Sequence, residues 1–223
     1  MSHDRVTRRA ALVGLAAASV ATAAAASDKD LLADDGRPAV TWRLPSEIAL
    51  EAPGVVTVGG TRPDVIVTEF FDYNCPWCKK SARDIDVFVA KDRDFRLRLI
   101  QTAILSLGSV QAAKIVIATQ MSAGDAKAYA LHLALLGARG AVDGQTALGQ
   151  LDRLKLDRAG IETRADSEET RVALKRHIAI ARALGMEATP SFAVNGRGVA
   201  GWPGPQTLAR IVKAVRACDA IVC

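Results

Sequence analysis

Cys75-Pro76-Trp77-Cys78 sets two thiols three positions apart in the chain. Beside a strand–helix–strand pattern, that spacing marks a redox-active dithiol. Pro76 suits the first turn of a helix, where its missing N–H costs nothing. Cys75 then lies at the helix N-terminus, where unpaired N–H groups and the macrodipole favour a thiolate. The thiolate is the nucleophile, so its pKa sets both reactivity and redox poise. On this reading Cys75 faces solvent and attacks. Cys78, one turn further in, is more buried and resolves mixed disulfides. Two other uses of the pair compete. A structural bridge across Cys-x-x-Cys closes a small strained ring and makes a poor staple. Half of a zinc site would need Cys218 and Cys223 as its other half, and structural zinc sites are closed four-ligand clusters in small modules.

Other residues are weighed around the pair. Glu69 stands six positions before Cys75 inside the apolar run 65–71, where burial raises a carboxyl pKa. There it can accept the Cys78 proton during exchange; the alternative is a strand-end carboxylate at the surface. His132 and His177 stand alone in helical stretches with no partner at ligand spacing, and are expected at the surface or the core edge. Asn195-Gly196-Arg197 reads as a turn. Trp202, between Gly201 and Pro203, either borders a groove or simply packs.

Positioning these residues requires a frame. The β-branched and aromatic run 65–71 predicts a buried strand. A helix follows from 76 to about 91, and a second strand over 95–101. Helices are expected over 110–121, 125–136, 145–154 and 167–184. A hairpin of 191–194 and 198–200 turns at Asn195-Gly196. A last helix runs from about 205 to 218. Residues 27–64, rich in Asp, Pro and Gly, read as an irregular arm with at most one short strand around 55–58. The parallel start and antiparallel finish imply one mixed α/β sheet flanked by helices, with a helical block inserted into it.

A chain of 223 residues, half of them apolar and 4% aromatic, supports one or two domains with a finely packed core. No run is hydrophobic enough to span a bilayer convincingly. Four cysteines are too few for a disulfide-dense scaffold. The formal charge is +5. Without Arg5, Arg8, Arg9 and Asp4 of the first segment it falls to +3, and the charges are interspersed, so a nucleic-acid surface has no support. Residues 1–26 read as an export signal: a charged start with Arg8-Arg9, a weak apolar stretch, and Ala24-Ala25-Ala26 for a peptidase. The arginine pair suggests the twin-arginine route. The rival is an Ala-rich helix kept as a membrane anchor. Export to the periplasm means an oxidising compartment, in which every cysteine must be accounted for.

The segment Phe70-Phe71-Asp72-Tyr73-Asn74-Cys75-Pro76-Trp77-Cys78-Lys79 resembles the active-site segment of DsbA-type thiol:disulfide oxidoreductases. A second stretch, Leu184-Gly185-Met186-Glu187-Ala188-Thr189-Pro190-Ser191-Phe192-Ala193-Val194-Asn195-Gly196, is similar to the family's Gly-x-x-x-Thr-Pro segment. Together the likeness spans roughly residues 50–217. It implies a thioredoxin-like fold with an inserted helical subdomain: an arm at 27–64, the first part of the fold at 65–105, the insertion at 106–185, and the second part at 186–223. It implies a cis peptide bond at Pro190 beside the cysteines, preceded by Thr189, with backbone there pairing to an extended client segment. An acidic residue at the place of Glu69 also belongs to the pattern. The partners implied are client proteins with thiols or disulfides and a membrane-bound redox partner that recycles the pair. No organic cofactor and no metal is expected, because the sulfurs carry the electrons.

One departure matters. The strongest oxidases of that family carry His where this chain has Trp77. A protonated ring stabilises the Cys75 thiolate and Trp does not, so a less oxidising pair is expected. Thr189 leans the same way, toward the isomerase-like branch. The function expected is formation, reduction or isomerisation of disulfides. The alternatives are a polypeptide-binding module and a thiol-based carrier of a soft ion such as Cu(I). Cys218 and Cys223 fall outside the likeness. A structural disulfide, an intermolecular or regulatory role, and free thiols all stay open for them.

Overall fold

The computed structural model describes residues 31–223. The export signal expected over 1–26 lies outside the described residues. The strands are β1 (Thr41–Arg43), β2 (Val56–Gly59), β3 (Val65–Phe71), β4 (Phe95–Gln101), β5 (Ser191–Val194) and β6 (Arg197–Ala200). The helices are α1 (Pro76–Lys91), α2 (Leu107–Ala123), α3 (Asp125–Leu136), α4 (Gly144–Arg153), α5 (Arg158–Ala165), α6 (Glu168–Ala183) and α7 (Pro205–Cys218).

The six strands form one mixed α/β sheet in the order β1-β6-β5-β3-β4-β2. Only β3 and β4 run parallel; every other neighbouring pair is antiparallel. β3 is central, and its sequence Val-Ile-Val-Thr-Glu-Phe-Phe has the near-continuous apolar character of a strand covered on both faces. In register, Glu69 lies opposite Leu99 of β4 and Phe192 of β5.

Each face of the sheet has its own cover. Val67, Phe71, Leu97 and Phe192 pack with Ile85 of α1 and Ile211 of α7. On the other face Phe70, Ile100 and Ala193 meet Ile180 of α6 and Leu184. Each fully buried Leu, Ile or Phe contributes roughly 1.5–3 kcal/mol by leaving water. Among the helices between β4 and β5, α2 is the hub, packed on α3, α4, α5 and α6. Its Ala112, Ala113, Val116, Ile117 and Ala118 are all buried, as befits a helix apolar all round.

Two elements differ from expectation. The arm carries two strands, not at most one. Trp42 of β1 packs over Gly198 of β6, where any Cβ would collide with the indole, and its N–H reaches the Leu184 carbonyl at 2.9 Å. Three residues on a sheet edge leave too short a pattern to read. Helix α5 was also unanticipated. It has only Ile161 and Ala165 buried, and its start depends on Asp157 accepting the Gly160 N–H.

The histidines are a correction. His132 and His177, expected at the surface or core edge, are both buried. His177 can be buried because both ring nitrogens are satisfied: Nδ1 accepts the Gln101 N–H at 3.2 Å, and Nε2 faces the Pro53 carbonyl at 2.9 Å. His132 stacks on Tyr129 and meets Phe71 edge-on. Burial holds its pKa down to about 3, so it is a neutral packing element.

Candidate active site

Four elements converge on the thiols. β3 delivers Glu69 from beneath. The turn 72–74 delivers Cys75 as the N-cap of α1, with Pro76 in the first turn. β5 begins just after Thr189-Pro190, whose peptide bond is cis. The Cys75 N–H donates to the Asp72 carbonyl at 3.1 Å, and the Lys79 N–H closes the first helical bond on the Cys75 carbonyl.

Cys75 and Cys78 carry free thiols. Cys78 is fully buried, and Cys75, expected to face solvent, keeps only 4% of its surface. The reason is the Thr189 loop: Cys75 Sγ lies 3.0 Å from the Thr189 carbonyl oxygen, which covers it. The two sulfurs are electrostatically unequal. A hydrogen bond from the Cys78 thiol lowers the Cys75 pKa to about 6, against the opposing effect of burial. Bonds from Thr189 and the backbone N–H groups of Cys78 and Trp77 help. Burial drives the Cys78 pKa far upward, reinforced by its bond to Cys75 and by the charge of Glu69.

Glu69 is buried, which settles its location against the surface alternative. Burial raises its pKa to about 8, partly offset by the Ser81 hydroxyl. That hydroxyl lies 3.1 Å from both Glu69 Oε1 and the Cys78 carbonyl oxygen, so Ser81 bridges the carboxyl and the second cysteine's backbone. Glu69, Cys75 and Cys78 are therefore one electrostatic cluster.

Three residues of the site escaped sequence reasoning: Ser81, Asp72 and Asn74. Ser81 is three positions past Cys78 on α1, the spacing at which helical side chains share a face. The buried Asp72 carboxylate accepts from the Asn74, Ile104 and Leu105 N–H groups and from the Ser109 hydroxyl, at 2.6–3.0 Å. Asn74 exchanges two bonds with the backbone of Val142, donating to its carbonyl at 2.8 Å and accepting its N–H at 2.7 Å. For Asp72 and Asn74 the one local signal is a pair of short polar residues just before a helix.

Trp77 is 54% exposed, with the Lys80 ammonium 5.0 Å above its ring. Trp202 does both things weighed for it. It packs on Phe192 and lines an open groove of about 780 Å³ together with Trp77, Thr189 and Pro190. Its indole N–H is buried and finds no acceptor. Cys218 and Cys223 are joined by a disulfide, so neither is a thiolate available to a metal. Among the described residues no cluster of three or more His, Cys, Asp or Glu could hold a metal ion.

A family model described as Thioredoxin matches residues 51–214. The chain belongs to the thioredoxin family. The likeness to its DsbA-type members, drawn from residues 70–79 and 184–196, holds. A thioredoxin-like oxidoreductase from Silicibacter pomeroyi superposes with a TM-score of 0.69 at 30% identity, over 74% of this chain and 94% of that one. The thiol-disulfide exchange protein alpha-DsbA2 from Wolbachia pipientis gives 0.67 at 21% identity, over 72% and 86%. A periplasmic thioredoxin-like protein from Salmonella enterica serovar Typhimurium gives 0.64 at 22% identity, over 75% and 93%. No curated protein sequence matches the chain. The chain thus has the fold of a thiol:disulfide oxidoreductase. No helix among the described residues is long and apolar enough to cross a membrane.

Proposed function

We propose that the protein is an exported, periplasmic thiol:disulfide oxidoreductase acting on client proteins through Cys75 and Cys78. The observation that carries this reading is the unequal pair: Cys75 with a pKa near 6 against a Cys78 that burial keeps protonated. At neutral pH one sulfur is a ready nucleophile and leaving group, and the other waits.

In the oxidising direction, a client thiolate attacks Sγ of Cys75 in the Cys75–Cys78 disulfide. The S–S bond breaks, and Cys78 leaves with the electron pair. Glu69, protonated up to about pH 8, supplies the proton that Cys78 takes up. A second client thiolate attacks the client sulfur of the mixed disulfide. A client disulfide forms, and Cys75 leaves as the stabilised thiolate. Two electrons now rest on the enzyme, and a membrane-bound redox partner removes them. In reverse, the Cys75 thiolate attacks a client disulfide and one client sulfur leaves as thiolate. In molecules whose Glu69 is ionised, a share that grows as pH approaches 8, the carboxylate takes the Cys78 proton, and Cys78 then displaces the second client sulfur from Cys75.

Thr189 and Pro190 lie where an extended client segment can pair beside Cys75. Trp77 offers no proton to the thiolate, which favours a weaker oxidant or an isomerase. The Arg8-Arg9 segment and the periplasmic Salmonella relative support export. The Cys78→Ala variant tests the scheme: in an oxidising extract it should accumulate client adducts that dithiothreitol releases. Absence of such adducts, or an insulin-reduction rate equal to background, would leave a polypeptide-binding module or a soft-metal carrier, which metal analysis under reducing conditions separates.

A further inference from the structure

Glu69 sits where a negative charge finds little support. β4 and β5 flank it with Leu99 and Phe192, and α7 faces the same side of the sheet with Ile211. The titratable groups that feel its charge are Cys75 and Cys78 at the start of α1, Tyr73 after β3 and Tyr129 of α3. All four are acids, so none of them offsets a carboxylate. Yet reduction needs Glu69 ionised, because a protonated carboxyl cannot take the Cys78 proton.

Among the described residues, Ser81 is the one side chain bonded to this carboxyl, with Oγ 3.1 Å from Oε1. The same Oγ lies 3.1 Å from the Cys78 carbonyl oxygen, and Ser81 is itself fully buried. A hydroxyl has one proton to donate and lone pairs with which to accept. Against the ionised carboxylate, the Ser81 O–H donates to Oε1. Against the protonated acid, Ser81 Oγ accepts the carboxyl O–H, and its own O–H turns to the Cys78 carbonyl. Rotating one hydroxyl thus serves both protonation states of Glu69, with no heavy atom moving. A buried polar atom costs free energy when it is left without a partner. At this oxygen neither state leaves one.

We propose that Ser81 is the positioning residue that makes Glu69 reversible, able to give a proton to Cys78 in oxidation and to take it in reduction. In Ser81→Ala the carboxylate has no donor, and Glu69 stays protonated at neutral pH. Release of Cys78 in the oxidising direction needs only that protonated form. Resolution in the reducing direction needs the other. There Cys78 gives its proton to the carboxylate, its sulfur bonds to Cys75 Sγ, and the client sulfur leaves with the electron pair of the broken S–S bond. Ser81 is therefore a determinant of direction. The proposal rests on the thiol-exchange reading and adds what lets one site run both ways.

The test mixes reduced protein with dithiobisnitrobenzoate in stopped flow. The first thionitrobenzoate released reports attack by Cys75, and the second reports displacement by Cys78. In Ser81→Ala the second phase should slow about tenfold at neutral pH, and its pH midpoint should rise by about one pH unit, the scale of a charge-assisted hydrogen bond. The first phase is the internal reference. Ser81→Thr, which keeps the hydroxyl, should bring the midpoint back. On the Glu69→Gln background, adding Ser81→Ala should change the second phase no further. Carbon NMR of the oxidised protein, made with carboxyl-labelled glutamate, should show the Glu69 titration moving up in Ser81→Ala, a readout free of thiol chemistry. An unmoved Glu69 titration, an equal loss in both phases, or a further loss on the Glu69→Gln background overturns the assignment. A parent that releases the first thionitrobenzoate and never the second refutes the exchange reading instead.

Discussion

Burying one carboxyl under a dithiol has opposite consequences for reactivity and stability. Glu69 holds its proton to about pH 8 in the folded chain, against 4.5 for an ordinary Glu. The sign follows from linkage: the stability tied to the protonated form is complete below 4.5 and is lost as pH climbs through 8. In the oxidised protein, where neither active-site thiol titrates, Glu69→Gln should therefore gain on the parent between pH 4.5 and pH 8 in urea midpoint. Parallel profiles would mean that the carboxyl is not buried in solution. In the reduced protein Cys75 works the other way, because its pKa near 6 adds stability as pH rises above 6 toward 9.0. Thiolate absorbance at 240 nm should show a midpoint near 6, and Glu69→Gln should retard the step that releases or captures Cys78 while leaving first attack by Cys75 alone. Trp77→His should raise the reduction potential, on the order of 30 mV for each ~1.4 kcal/mol by which a protonated ring favours the thiolate. A glutathione-equilibrium titration reads it, and an unchanged or lower potential would remove Trp77 as the determinant of poise. At this scale the sequence displayed the sulfurs, Glu69 and the Thr189-Pro190 pair, because each sits in a recognisable local string. It hid Ser81's bridging role and the near-complete cover of Cys75, because these arise where separate segments meet.

The elements that were legible are those with a strong period or an explicit punctuation mark. β3 is a solid apolar run, α1 starts at Cys75-Pro76, the hairpin turns at Asn195-Gly196 with positive φ at both residues, and α7 starts at Pro205. β1 and α5 were not, since three and eight residues with few buried positions give no period to detect. Nor was the clasp by which Asp72 organises the loop leading into α2. Four donors converge on one buried carboxylate there, and each buried N–H left without an acceptor costs roughly 1–3 kcal/mol. Asp72→Ala should accordingly destabilise by at least ~2 kcal/mol in urea denaturation and should quicken alkylation of Cys75, because the Ile104–Leu105 stretch and the turn before Cys75 loosen together. A loss below ~0.5 kcal/mol would show the carboxylate to be solvated rather than clasped.

For the molecule as a whole, the sulfur inventory divides by task. The Cys218–Cys223 bridge closes a loop with a sequence separation of only 5 and sets Ile221 into the main core. Chain-entropy reasoning gives a loop this short about 2 kcal/mol. Replacing both residues by Ser should lower the denaturation midpoint accordingly and leave peptide reduction by Cys75 largely intact. Loss of most dithiol activity would argue for a relay between the two pairs. The same scale shows what Asn74 means. Its paired bonds to Val142 join the residue before the nucleophile to the loop between α3 and α4, so that side chain is a rivet through two layers of the fold. Any breathing of the helices away from the sheet must tug on Cys75's immediate neighbour. The setting of the nucleophile and the mechanical integrity of that seam are therefore tied to one amide side chain.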